Sequence, residues 1–150
     1  MVEFSVVEME PQVATVMRGK VPMDELADFF GRAFGAVMAA VEQSEHSVVG
    51  PPFGYYPSVP GDVVELEAGF PTSGPVDGDE VNKLELPGGP AAVGVHVGSY
   101  DSLGTTYAEL EQWLEAEGHE RREGMWECYL TDPSADPSTW RTQIVWPIVG

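Results

Sequence analysis

"AAVGVHVGSYDSLGTTYAELEQWLEAEG", residues Ala91–Gly118, begins with one period and ends with another. Up to Val97 a valine falls on every second position, at 93, 95 and 97, the two-residue repeat of a strand. Beyond Gly98 the repeat changes. Leu103, Tyr107, Leu110 and Leu114 recur at three- and four-residue steps, which is the apolar stripe of an amphipathic helix, and Gly118 is a natural stop. A strand is therefore followed at once by a helix, expected over 101–117. "REGMWECYL" then reads as an aromatic strand, "TDPSADPST" as a turn-rich loop and "WRTQIVWPIVG" as a closing strand.

The same order occurs earlier in the chain. "EFSVVEMEPQVATVMRG" is valine-rich and alternating, one or two strands ending near Gly19. A helix is expected over 22–43, from the spacing of Leu26, Phe29, Phe30, Ala33, Val37, Met38 and Val41. Pro22 suits its first turn, and Asp24 and Glu25 complement its dipole. Gly31 and Gly35 weaken it locally but permit a close approach to a sheet. "SVVGPPFGYYP" is an aromatic strand broken by prolines, and Asp62–Gly69 alternates as another strand. Two more strands flank the Pro-Gly-Gly-Pro turn between Glu80 and Gly98. Strand-helix-strand-strand thus appears over Val13–Pro71 and again over Ala92–Pro147, and "GPPFGYY" answers "GMWECY" at an offset of about 75 residues. The fold class expected is α+β: one domain over 1–150, two pseudo-repeats of about 1–78 and 79–150, pseudo-twofold symmetry and a ligand cleft between the halves. In this reading each helix covers one sheet face, and the helix-free faces meet across the axis.

Composition narrows the function. There are 25 acidic residues against 7 basic ones, a formal charge of -18. Such a surface repels nucleic acid and anionic lipid and attracts cations, and it also serves solubility or adaptation to salt. A direct nucleic-acid or membrane role is not expected. Cys128 is the only cysteine, so no intrachain disulfide can form, and a reducing, cytoplasmic setting fits. The N-terminus has no signal-peptide pattern, and the longest apolar run, Ala33–Val41, is too short to span a bilayer. No phosphate-cradling loop, nucleophile elbow or HExxH motif occurs, and the three histidines have no metal-ligand spacing. No metal and no cofactor is expected.

Glu127 stands out. It lies in the middle of "GMWECYLTDP", among large apolar neighbours. In a regular strand Met125, Glu127 and Tyr129 share one face and Trp126, Cys128 and Leu130 the other. The residues alone leave two places for this carboxylate: the solvent side of an edge strand, or a recess among aromatics. In a recess its pKa rises, which suits a general acid or base, and a bound cation or the Tyr129 hydroxyl compensates the charge. Tyr55, Phe70, Tyr129 and Trp146 are the aromatics expected at the cleft, each face offering a cation roughly 0.5–2 kcal/mol. His96 reads as a hydrogen-bonded structural residue, and Cys128 as a small apolar one.

"LPGGPAAV" leading into "VHVGSY", then "YAELEQWLEAEG", "ECYLTDP" and a final "TQIVWP", resemble in order and spacing the GyrI-like family, related to the effector-binding domains of AraC-type and MerR-type multidrug regulators. The resemblance implies two strand-helix-strand-strand units around a cleft for bulky, often cationic or aromatic small molecules. It places Glu127 in that cleft among aromatic residues, and the candidate ligand-binding set is then Tyr55, Phe70, Met125, Glu127, Tyr129 and Trp146, its members other than Glu127 chosen from the strand pattern. It suggests a stand-alone binding protein that recognises or sequesters drugs, as a monomer or homodimer. Two alternatives come with it. One is a hydrolase of cyclopropane-bearing genotoxic compounds, with Glu127 activating water and Tyr129 assisting. The other is an acidic antagonist of a protein target such as DNA gyrase.

Overall fold

The computed structural model describes residues 3–57, 62–99, 102–131 and 134–149. Eight strands and two helices follow one another in the order β1 (Phe4–Met9), β2 (Gln12–Pro22), α1 (Leu26–Glu42), β3 (Phe53–Tyr56), β4 (Val63–Pro71), β5 (Asn82–Leu86), β6 (Gly89–Val97), α2 (Leu103–Glu117), β7 (Met125–Tyr129) and β8 (Arg141–Pro147). The N-terminal alternation resolves into two strands, the second running three residues past Gly19. Pro22 closes β2, and Met23–Glu25 form a 3-10 turn before α1. Position 101, where the second helix was expected to start, lies outside the described residues. Gly118 ends α2 at φ 73°, a backbone angle open to glycine at little cost.

All strands join one antiparallel sheet in the order β1-β6-β8-β7-β3-β4-β2-β5. Read outward from the central β7–β3 pair, the order is β7-β8-β6 on one side and β3-β4-β2 on the other, so each strand-helix-strand-strand segment supplies one wing. The strands preceding the two segments are exchanged: β1 pairs with β6, and β5 with β2.

This exchange bends the sheet. β5 and β6 stand six positions apart, about 29 Å in a flat sheet. Only Pro87 and Gly88 join them, a link that reaches about a third of that distance. The wings must therefore curl towards each other. They meet on the helix-free face, where Ala14, Val16, Leu86 and Ala91 pack with Phe53, Trp126 and Val145. The expectation that helix-free faces meet holds in this sense, but their meeting makes a closed core. Both helices lie on the opposite, convex face. Phe29 and Ala33 of α1 pack on Tyr56, Val64 and Leu66, whereas Leu110 and Leu114 of α2 pack on Ala92, Ile144 and Trp146. Met125 touches both clusters. The space between the helices, floored by β3 and β7, is the cleft.

Gly31 and Gly35 do not serve a close approach to the sheet. An added methyl at either position would meet no atom within 4 Å. The close approaches occur at Gly19, whose Cα lies under the Phe29 ring, and at Gly69, packed against the Thr15 carbonyl.

Candidate functional site

The cleft between α1 and α2 has a volume of about 1560 Å³. Ligand pockets commonly hold roughly 300–1,000 Å³, so this one has room for a bulky molecule. Its α1 wall carries Leu26, Phe30 and Phe34, and its α2 wall Leu103 and Tyr107. The floor is Tyr56, Met125, Glu127, Tyr129 and Trp146.

The floor follows from register. Gly54 stands directly opposite Glu127 in the β3–β7 ladder. A Cβ at Gly54 would lie 3.1 Å from Phe30 and 3.2 Å from the Tyr129 hydroxyl oxygen. Its absence lets both rings settle over the middle of the sheet, where they meet edge to face at 5.6 Å and 83°. Phe30 also lies 5.5 Å from Phe34, so three rings form one continuous apolar surface.

Glu127 is buried, with 7% of its surface exposed. Two phenols converge on it. The Tyr107 hydroxyl donates to Oε2, and the Tyr129 hydroxyl donates to Oε1 at 3.0 Å. The Tyr56 and Tyr129 hydroxyls lie 3.4 Å apart. Burial pushes the Glu127 carboxyl above the usual carboxylate range. The hydrogen bonds from Tyr107 and Tyr129, and the nearby His96, pull the other way without cancelling it. Burial and the adjacent carboxylate raise both tyrosines, so each stays a hydrogen-bond donor. Among the described residues no three His, Cys, Asp or Glu side chains stand together in a way that could hold a metal ion.

Met125, Glu127, Tyr129 and Trp146 come together at the cleft. Tyr55 and Phe70 do not. Tyr55 follows the pleat to the helix-free face, 6.4 Å from Trp126, where burial raises its hydroxyl pKa. Its neighbour Tyr56 takes the cleft position because it pairs with Met125. Phe70 is on the helix-bearing face but beyond the cleft, screened by Phe34 at 5.5 Å. Cys128 faces the helix-free core, and burial pushes its thiol up to about 12. His96 is buried beneath α2, its Nδ1 2.6 Å from the Thr106 hydroxyl and its Nε2 3.0 Å from the Ser99 carbonyl oxygen.

Sequence reasoning did not single out Tyr107, Tyr56, Phe30 or Phe34 as cleft residues. Tyr107 carried a signal: it is the one stripe residue of α2 with a hydroxyl, and a half-buried hydroxyl needs a partner.

A family model described as the GyrI-like small molecule binding domain matches residues 2–149. The chain belongs to this GyrI-like family. As a GyrI-like domain it is a small-molecule-binding domain. No curated protein matches its sequence. Solved structures share the fold at low identity. The C-terminal domain of EcmrR is 20% identical, with a TM-score of 0.77, 99% of this chain and 98% of that one being covered. In a cryo-EM complex of EcmrR with DNA the match covers 98% of this GyrI-like chain but only 57% of the EcmrR chain. A hydrolase from Listeria innocua is 18% identical at a TM-score of 0.68, covering 98% and 92%. SAV2435, solved with tetraphenylphosphonium bound, is 13% identical at a TM-score of 0.65, covering 99% and 94%. Among the described residues no helix of this domain is long and apolar enough to cross a membrane.

Proposed function

We propose that the cleft binds bulky hydrophobic cations and planar drug-like molecules, with Glu127 as counter-charge and Phe30, Phe34, Tyr56 and Tyr129 as stacking walls. One observation carries this reading: a buried carboxylate at the floor of a large, aromatic cleft, held by two phenols and, among the described residues, hydrogen-bonded to no basic side chain. Burying a charge costs several kcal/mol when no partner offsets it. A ligand cation supplies the partner, and the ring faces add cation–π attraction. The tetraphenylphosphonium bound by the structural relative SAV2435 supports the same class of ligand. Calorimetric titration with tetraphenylphosphonium tests it. The wild type should bind, Glu127→Gln should bind about tenfold more weakly or worse, and a neutral tetraphenyl analogue should lose much less.

A second reading uses the same atoms. A carboxyl with a raised pKa, hydrogen-bonded to Tyr129, is placed to accept the proton of a water attacking a strained electrophilic ring. Incubation with a cyclopropane-bearing electrophile, followed by mass spectrometry for a product heavier by one water, separates the two. Turnover that Glu127→Gln abolishes supports hydrolysis, and binding without product supports capture alone.

A further inference from the structure

One end of the cleft carries a cation of its own. The chain has only 7 basic residues, and two of them, Arg121 and Arg122, line the cavity. The Arg121 guanidinium lies 4.4 Å from the centre of the Trp146 ring, a buried ring that also lines the cavity. Its backbone is anchored there. An antiparallel bridge joins Arg121 to Ile148, Arg122 N–H donates to the Pro147 carbonyl at 2.8 Å, and Val149 N–H donates to the Glu120 carbonyl at 2.8 Å. The backbone of residues 120–122 is thereby tied to the end of β8, next to Trp146. Among the described residues the side chain makes one ion pair, at 3.5 Å, from Nη1 to the exposed Glu111.

From Arg121 the contacts run straight to Glu127. Arg121 covers Trp146, Trp146 meets Tyr107 edge to face at 5.9 Å, and the Tyr107 hydroxyl donates to Glu127. A cation marks one end of the line and a carboxylate the other. A guanidinium already seated on the indole keeps a second cation off that face. It has five N–H donors in a planar fork, and the ion pair with Glu111 engages one nitrogen. A carboxylate or other anionic oxygen matches the rest.

We infer that Arg121 makes the Trp146 end of the cleft a subsite for an anionic oxygen, so that the ligand class matched best is an aromatic zwitterion. Its nitrogen cation lies toward Glu127 and its acid group toward Arg121. The inference rests on the proposed cation role of Glu127 for one end only. Arg121 sorts ligands by whether they carry the second charge.

Two dyes with one chromophore test it: rhodamine 110, an inner salt with a free carboxylate, and rhodamine 123, its cationic methyl ester. Fluorescence anisotropy gives both affinities on the wild type and on Arg121→Gln, with thermal melting to check folding. The wild type should prefer the free acid by about tenfold. Arg121→Gln should erase that preference, binding the acid more weakly and the ester equally or better. Arg121→Lys should keep part of it, retaining charge without the fork. An ester bound as well as the acid by the wild type, or a preference that survives in Arg121→Gln, overturns the subsite while leaving the cation site standing. Binding of neither dye by the wild type overturns the cation reading and the subsite with it.

Discussion

The Tyr107 hydroxyl of α2 donates its hydrogen to Oε2 of Glu127 on β7, so one helix wall and the sheet floor of the cleft meet at a single carboxylate. The contact favours the ionised form against the burial that disfavours it. Tyr107→Phe keeps the ring against Trp146 and removes only the donor. Glu127 then ionises at higher pH. The pH midpoint for binding tetraphenylphosphonium, whose own charge does not titrate, should move upward. Above that midpoint the variant should be less stable than the wild type by about 1–3 kcal/mol, the cost of a buried charged acceptor losing one partner.

Glu127 also shapes stability against pH. Its folded pKa is raised, so between the ordinary carboxylate value of 4.5 and the folded value the folded protein binds more protons than the unfolded chain. Stability from this group is fullest below 4.5 and declines as pH rises through that window, staying low above it. Glu127→Gln should flatten that part of the curve and match or exceed the wild type at pH 7 in denaturant unfolding. A large loss of stability in Glu127→Gln, with affinity for tetraphenylphosphonium intact, would make the residue structural.

The two tyrosines of β3 should separate cleanly. Tyr55 packs in the helix-free core with Trp126, and Tyr56 floors the cleft. Tyr55→Ala should cost about 2 kcal/mol of stability, less than the loss of a fully buried ring because Tyr55 is only partly covered, and leave tetraphenylphosphonium affinity nearly unchanged. Phe30→Ala removes a cleft wall from α1 and should weaken binding by about 1–3 kcal/mol. Phe70→Ala, behind Phe34, should follow Tyr55 and not Phe30.

These residues also mark how far the sequence could be read. The helices were legible because their stripes run over many turns, and an error of one position does not change the face. The floor of the cleft was half legible. Alternation groups Met125, Glu127 and Tyr129 within one strand, but nothing in "FGYY" says which tyrosine shares their face. The β3–β7 register decides that, by setting Tyr56 against Met125 and Gly54 against Glu127. The side of the sheet that bears the cleft was not legible either. It depends on the exchange of β1 and β5 between the wings, which curls the sheet away from the helices. Strand exchange is a long-range choice that leaves no local period. Arg121 was missed for a related reason: its meaning lies in the Trp146 ring beneath it, 25 residues further on.

Gly31 and Gly35 offer a comparison within one helix. Both lie in α1, both are exposed, and an added methyl meets nothing within 4 Å at either. Glycine inside a helix costs roughly 0.8–1 kcal/mol relative to alanine, through the backbone freedom it gives up on folding. Gly35→Ala and Gly31→Ala should therefore each raise stability by about that amount in denaturant unfolding. Only Gly31 lines the cleft. Its new methyl would stand beside Phe30 on the wall, one turn from Phe34, and narrow the space open to a bulky ligand. Gly31→Ala should shift tetraphenylphosphonium affinity by a fewfold, while Gly35→Ala, equally stabilised, leaves it alone. The equal gain in stability matters to the test, because it rules out general stiffening of α1 as the cause of any difference in binding. Equal affinities in the two variants would mean that the ligand does not reach this part of the α1 wall.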